Sequence, residues 1–288
     1  MGDKFSATRR QMLKGAGAAG LAAAASLVPA GHAAAKRGGR SKAKAPRWAM
    51  VFDLRRCVGC RACTVACKAE YDVPLGVWNT VVNEEMVGRY PDTKKPFLPI
   101  RCNHCEGNKE DMIPPCVKDC PEYPKERQKY ITPDGKKIRY RDGATYKRPD
   151  GLILNINKYC TGCGKCIKAC PYGARAFNKR IKSGKDSTKN GITKCTSCAH
   201  RIDKGVVPAC VNICPGRARV FGDLNDPNSE VSKLAKEFNL VKERDKTTLL
   251  PGEDTVPMNF YIDPDNALKT KIATRKYTEN ESFSCKVS

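Results

Sequence analysis

The apolar positions of this chain come in short runs rather than long periodic stretches. Ala49-Met50-Val51-Phe52 reads as a short strand, with order beginning at Trp48, and Leu152-Ile153-Leu154 is a second β-prone run. Val231, Leu234, Ala235 and Phe238 recur at i, i+3, i+4 and i+7, one apolar face of a helix. Asp226 is expected to cap that helix and Pro227 to occupy its first turn. Its apolar face predicts packing back onto the rest of the domain, and Met258 to Ile262 predicts a further strand. Glu122 to Asp150 is polar and strongly charged, with turn signals at Pro133-Asp134-Gly135 and Arg148-Pro149-Asp150-Gly151. A surface hairpin or lid is expected there, and a plain flexible loop from Ile181 to Asn190. Lys36 to Arg47 is basic and non-periodic, which reads as a disordered linker. Beyond a weakly apolar Gly/Ala-rich stretch from Gly15 to Val28, nothing approaches 18 apolar residues, so no direct membrane span is expected in the mature chain.

Cysteine changes this picture most. Sixteen of the 17 cysteines fall into four groups of four. Cys57, Cys60, Cys63, Cys67 and Cys160, Cys163, Cys166, Cys170 both read C-x2-C-x2-C-x3-C, the run that binds a cubane iron–sulfur cluster. Cys102, Cys105, Cys116, Cys120 and Cys195, Cys198, Cys210, Cys214 keep the opening C-x2-C and closing C-x3-C around a longer insert. A thiolate every third residue lets a short loop curl round one face of a cubane, while the fourth cysteine points to a neighbouring cluster. Proline follows Cys120, Cys170 and Cys214 and ends the local turn, whereas Cys67 is followed by Lys68. Four complete groups predict four [4Fe–4S] clusters. Zinc sites prefer two separated C-x2-C pairs, which these runs do not resemble. A disulfide framework needs no such repeated spacing. Cys285 matches no group and reads as a free thiol.

The groups repeat. Adding 103 to each number of the first group gives the third, and Pro115-Cys116-Val117-Lys118-Asp119-Cys120-Pro121 resembles Ala209-Cys210-Val211-Asn212-Ile213-Cys214-Pro215. The order A-B-A′-B′ predicts an α+β fold, a duplicated 2[4Fe–4S] ferredoxin-like domain with insertions. The expected organisation is a signal peptide at 1–35, a basic linker at 36–47, the four-cluster domain at 48–222 with a charged insert at 121–151, and a C-terminal helix and tail at 223–288.

Thr8-Arg9-Arg10-Gln11-Met12-Leu13-Lys14 resembles the twin-arginine export motif, and Ala33-Ala34-Ala35 offers a small-residue cleavage site. Twin-arginine export carries folded proteins, which suits a chain that must receive clusters before crossing to the periplasm. The whole chain carries 53 Lys+Arg against 30 Asp+Glu, a formal +23, and removing 1–35 takes away one acid and four cations to leave +20. Nucleic acid is not expected as the partner, for want of any recognition motif. A specific acidic docking face and a plainly solvated basic surface both remain open.

Taken together, the four groups, their order and the leader resemble the iron–sulfur electron-transfer subunits of the dimethyl-sulfoxide-reductase superfamily over roughly 48–240. The stretches that carry the resemblance include Phe52-Asp53-Leu54-Arg55-Arg56-Cys57-Val58-Gly59-Cys60, Cys102-Asn103-His104-Cys105, Ala169-Cys170-Pro171-Tyr172-Gly173-Ala174-Arg175 and Phe221-Gly222-Asp223-Leu224-Asn225-Asp226-Pro227. The exported members look most like subunits of tetrathionate, thiosulfate, polysulfide or sulfite respiratory complexes. The resemblance implies nested pairing. Cys57, Cys60 and Cys63 take Cys214; Cys195, Cys198 and Cys210 take Cys67; Cys102, Cys105 and Cys116 take Cys170; and Cys160, Cys163 and Cys166 take Cys120. It also implies two partners, a polytopic quinol-oxidising membrane subunit and a catalytic molybdopterin or haem enzyme. The ten-residue gap between Cys105 and Cys116 and the long charged insert depart from the family pattern.

His104 and His200 sit beside C-x2-C pairs and are expected to hydrogen-bond backbone or cluster sulfide, while Lys68, Arg61, Lys165 and Lys168, within or next to the cluster loops, are candidates for offsetting cluster charge but read first as solvated surface charge. No nucleophile–base pair, P-loop or dinucleotide fingerprint appears, so the expected role is a non-catalytic relay of single electrons. The alternatives are a catalytic iron–sulfur reductase in its own right, which needs an open iron, and a zinc-binding structural module.

Overall fold

The computed structural model describes residues 45–274 apart from Lys109; the expected leader, residues 36–44 of the expected linker and Cys285 lie outside the described residues. Strand β1 (Trp48–Asp53) leads through a 3-10 turn (Leu54–Arg56) into Cys57, and helix α1 (Ala62–Tyr71) carries Cys63 and Cys67. A hairpin of β2 (Thr80–Glu84) and β3 (Phe97–Arg101) runs straight into Cys102, and α2 (Pro115–Lys118) carries Cys116. The charged insert forms a hairpin, β4 (Arg127–Ile131) and β5 (Lys137–Arg141), followed by the short pair β6 (Thr145–Lys147) and β7 (Ile153–Asn155). From β7 the earlier succession recurs. A 3-10 turn (Asn157–Tyr159) enters Cys160, and α3 (Lys165–Lys168) carries Cys166. The hairpin β8 (Arg175–Lys182) and β9 (Asn190–Lys194) enters Cys195, then come α4 (Ala199–Ile202) and α5 (Ala209–Asn212) with Cys210. The chain continues through β10 (Arg219–Asp223), α6 (Glu230–Glu237), α7 (Arg244–Thr247), β11 (Asn259–Ile262) and α8 (Lys271–Thr274).

β1 is central in a sheet ordered β10–β1–β11, antiparallel to β10 and parallel to β11. Successive side chains of a strand point to opposite faces, and here both faces are covered. Met50 and Phe52 join Tyr261, Leu98, Ile100 and the thiols of Cys63, Cys102, Cys195 and Cys210 in the main core. Ala49 and Val51 join Val220, Phe260 and the α6 residues Val231 and Ala235 in a second core. Full burial of Val231 alone contributes about 1.5–3 kcal/mol. The apolar face of α6 thus packs as its periodicity predicts, but its cap is Ser229, whose side chain accepts from the Ser232 amide. Asp226 instead accepts from the Asn228 amide and shapes the turn before the helix.

Three further expectations change. Cysteine followed by lysine rather than proline lets α1 run on past Cys67 to Tyr71, while α3 stops at Lys168, two residues before Cys170-Pro171. Lys68 then turns its ammonium onto the carbonyls of Pro74 and Val77, at 2.8 and 2.9 Å, and over the Trp78 ring, so it ties the helix end down instead of lying in solvent. The segment after β8 is not a plain loop, because the Ser183 hydroxyl and the Lys185 amide both donate to the Cys160 carbonyl. Arg47, at the end of the expected linker, donates its amide to Asp223 at 2.7 Å and its guanidinium to Glu106 at 2.5 and 2.6 Å.

Candidate metal centres

The cysteine loops share one backbone device. Two residues after the first cysteine of each group the chain turns left-handed, at Gly59 (φ 68°), His104 (φ 45°), Gly162 (φ 65°) and Ser197 (φ 55°). That turn reverses the chain and aims an amide at the first sulfur. The Gly162 amide lies 3.3 Å from Cys160 Sγ and the Ser197 amide 3.4 Å from Cys195 Sγ, and the amides of Gly59 and His104 likewise bond the sulfurs of Cys57 and Cys102. Hydrogen bonds of this kind stabilise a sulfur's negative charge. At Gly59 space matters as well, since a Cβ would stand 2.3 Å from the Phe97 ring.

The structure brings sulfurs from different groups together. Cys57, Cys60, Cys63 and Cys214 line one pocket with Pro215 and Arg219, and Cys120, Cys160, Cys163 and Cys166 line another with Ala144 and Ile192. Cys67 is surrounded by Cys195, Cys210 and Cys198, and Cys105 by Cys102, Cys116 and Cys170. Cys60 and Cys163 are exposed, while the other fourteen are buried or half-buried, and all sixteen are free of disulfides. Among the described residues no three His, Cys, Asp or Glu side chains close on a single metal ion; where cavities are formed, the sulfurs surround a space instead of meeting at a point.

Burial dominates the chemistry of these thiols. It pushes Cys170 and Cys198 up to about 11 and raises Cys67 and Cys105 as well, with the neighbouring sulfurs adding to the shift. Cys102 goes the other way. Burial raises its thiol too, but Lys194, Arg175, the His104 amide and Arg101 together hold it below the ordinary value.

Four buried cations stand among the sulfurs: Arg101, Arg175, Lys194 and Arg219. Arg219 Nη2 lies 3.1 Å from Cys63 Sγ and 3.0 Å from Thr80 Oγ1, while its Nη1 is buried without a protein partner. Arg175 Nη2 lies 3.1 Å from Cys116 Sγ, and Arg101 Nη1 lies 3.7 Å from Cys195 Sγ. Lys194 donates to the carbonyls of Ile153 and Cys195. Among the described residues none of the four pairs with a carboxylate. Burial works against the charge of Arg219 and Arg175, yet Cys210 and Cys63 around the first, and Cys116 and Cys166 around the second, keep both strongly basic.

Their placement alternates with the sulfur sets. Arg219 stands between the Cys57 set and the Cys67 set, Arg101 and Lys194 stand between the Cys67 set and the Cys105 set, and Arg175 stands between the Cys105 set and the Cys120 set. An unpaired buried cation costs several kcal/mol, so four in a row fit only where strong negative charge lies between them. Sulfur-ligated iron clusters carry such charge, four thiolates apiece, and the residues therefore fit the group that the cysteine spacing implies.

Sequence reasoning missed these four cations because lysine and arginine read as solvated. A signal was present: Arg101 and Lys194 directly precede the first cysteine of the second and fourth groups, and Arg175 and Arg219 each follow the last cysteine of a group by five residues. Of the residues flagged instead, Arg61 pairs with Glu84 at 3.1 Å, and Lys165 and Lys168 are exposed. Buried His104 accepts at Nδ1 from the Ile153 amide at 3.0 Å. The His200 ring does not take up a backbone partner among the described residues; it lies at the surface against Glu70 at 2.6 Å and the Tyr71 hydroxyl at 3.3 Å. The segment after α6 also lines the site, where the sequence predicted only a strand at Met258 to Ile262: Asn259 donates to the Cys102 carbonyl and Asn103, and Thr255 bonds the Tyr172 hydroxyl.

Comparison with known proteins agrees with this chemistry. A 4Fe-4S dicluster domain matches residues 93–224, and a 4Fe-4S binding domain matches residues 48–69. The chain is 36% identical over 279 residues to a tetrathionate reductase subunit of Salmonella typhimurium, covering 95% of each. It is 34% identical to the arsenate respiratory reductase iron-sulfur subunit of a Shewanella species, over 75% of this chain and 96% of that one. It is also 34% identical to a sulfite dehydrogenase subunit of Allochromatium vinosum, over 74% and 82%. With cysteine loops of this build, a ferredoxin-like α+β fold and likeness along nearly its whole length, the chain belongs to the iron–sulfur electron-transfer subunits of the dimethyl-sulfoxide-reductase superfamily, which serve respiratory reductases without being their catalytic subunits.

Proposed function

We propose that this chain holds four [4Fe–4S] clusters in series and relays single electrons between a quinol-linked membrane subunit and the catalytic subunit of an exported respiratory reductase. The ligand sets are Cys57, Cys60, Cys63 with Cys214; Cys67 with Cys195, Cys198, Cys210; Cys102, Cys105, Cys116 with Cys170; and Cys120 with Cys160, Cys163, Cys166. When bound, such clusters supply one-electron carriers, and several in a row span a distance too great for a single hop. The chain's own residues bind through thiolates, exclude water by burial and offset charge with Arg101, Arg175, Lys194 and Arg219. The observation that carries the reading is the alternation of sulfur sets with buried, carboxylate-free cations. The matching succession of elements before and after β7 supports a duplicated ferredoxin-like unit. Exposed Cys60 and Cys163, one in each terminal set, support electron entry and exit at opposite ends of the series.

The tetrathionate reductase relative, matched along 95% of both chains, favours a sulfur-oxyanion reductase. The twin-arginine pattern at Arg9-Arg10 favours folding in the cytoplasm, export, and work at the periplasmic face beside a molybdopterin or haem partner. The test is metal and sulfide analysis of anaerobically purified protein. About sixteen iron and sixteen acid-labile sulfide per chain are expected from four cubane clusters, and one zinc per sulfur set with no sulfide would refute the reading.

A further inference from the structure

The β4–β5 hairpin carries a charge pattern that works against its own stability. Arg127, Lys129 and Ile131 on β4, and Lys137, Arg139 and Arg141 on β5, are exposed and share the outer face. The register sets Arg127 directly opposite Arg141, Lys129 opposite Arg139, and Ile131 opposite Lys137. Like charges facing each other across a pair of strands are destabilising. Among the described residues no carboxylate lies within ion-pair distance of any of these five cations.

The inner face is fastened down. The Tyr130 ring lies under the Arg148 guanidinium, which is itself paired with Asp150 at 2.6 Å and Asp203 at 2.7 Å. Tyr140 stacks on Tyr146 with centroids 6.0 Å apart. Buried Asp142 accepts from the Glu126 amide and from Gln128 Nε2, both at 2.9 Å. The hairpin is therefore held against the body while its outer face presents five positive side chains at fixed backbone positions, of which Arg141 also donates to the Lys125 carbonyl at 2.8 Å.

We propose that this face docks a carboxylate-rich strip on a partner subunit of the same reductase complex, an inference that rests on the relay reading above. Same-face side chains on a strand recur about every 6.6–6.8 Å, so the grid has a definite spacing for fixed carboxylates to match. Three of the five cations are arginine, whose planar fork pairs carboxylates bidentately. A membrane surface fits less well, because the outer face offers one apolar side chain, Ile131, for insertion.

The test isolates the complex from its native host through a tag on this chain and follows partner retention through a series of NaCl concentrations. One variant combines Arg127→Gln, Lys129→Gln, Lys137→Gln, Arg139→Gln and Arg141→Gln. A second, Lys129→Glu, turns a repelling cross-strand pair into an attracting one and so cannot weaken docking by unfolding the hairpin. A control neutralises exposed cations elsewhere: Lys179, Lys182, Lys233, Lys236 and Lys242. With iron content unchanged in all of them, loss of steering predicts partner capture falling on the order of tenfold or more in the five-site variant at moderate salt. Lys129→Glu should lie between it and wild type, and the control should match wild type. Retention of the partner by both hairpin variants through the same salt range overturns the proposal. So does flotation of the wild-type chain, but not the five-site variant, with phosphatidylglycerol vesicles while assembly is intact, since that assigns the face to lipid. A wild-type chain that captures no partner at any salt overturns the relay reading instead, and the docking surface with it.

Discussion

Arg219→Met should lower the reduction potential of the cluster proposed at Cys57, Cys60, Cys63 and Cys214. The guanidinium touches Cys63 Sγ at 3.1 Å in a fully buried setting and faces no carboxylate. Reduction adds one negative charge, which the arginine stabilises, so its removal makes reduction harder. For two unit charges at a separation on the order of 6 Å and an effective dielectric near 20, Coulomb's law gives about 3 kcal/mol. For a one-electron couple that is on the order of 120 mV. The cluster proposed at Cys67 should move the same way, because Arg219 also faces Cys210, while the two remote clusters should stay in place. The assay is a redox titration followed by electron paramagnetic resonance on anaerobically purified protein with full iron content. Arg219→Lys keeps the charge and should recover most of the wild-type potential, and Thr80→Val removes only the hydroxyl 3.0 Å from Nη2 and should change it little. Full cluster loading in Arg219→Met with every potential within about 20 mV of wild type, far below the Coulomb value, would refute the reasoning. Equal shifts in the Met and Lys variants would trace the effect to packing rather than charge.

Cys214→Ser should damage the cluster proposed with Cys57, Cys60 and Cys63, while those that use the second and third groups persist; spectroscopy showing the latter lost first would overturn the pairing. Arg148→Met should destabilise the insert by about 3–5 kcal/mol, because it leaves buried Asp150 without its cation; hydrogen exchange on β4 to β7 reads this, and unchanged protection would contradict it. Arg9→Lys with Arg10→Lys should strand cluster-loaded protein in the cytoplasm, checked by fractionation, and normal periplasmic accumulation would rule out the twin-arginine route.

Features held within a few residues were legible in sequence. The cysteine spacing is one, since a chain that must curl round one object repeats its ligands locally. The apolar face of α6 is another, because helical period and burial coincide at Val231 and Ala235. Turn signals at Pro133-Asp134-Gly135 and Arg148-Pro149-Asp150-Gly151 end the β4–β5 and β6–β7 pairings as their residue types require. The misreadings arose where two nearby residues compete for one role, where the chain just beyond an element folds back on it, or where a distant partner overrides a local preference. Ser229 caps α6 in place of Asp226, Lys68 closes on backbone carbonyls, and His200 turns to Glu70 and Tyr71 on α1.

By itself the sequence determined which residues are available to bind metal, the family, and the short-element α+β character, because each follows from residue type and near-neighbour spacing. Spacing alone left open which sulfurs stand together, a pairing that the family resemblance implied and that tertiary structure brings about, since Cys57 and Cys214 are far apart along the chain and meet only once β1 pairs with β10. Tertiary structure alone placed β11 parallel to β1, carrying Asn259 to the Cys102 loop. It alone separated four buried cations from the many solvated ones. Charge is a property of a residue, but its energy depends on what water leaves behind and what stands beside it, and that is known only when the chain is folded.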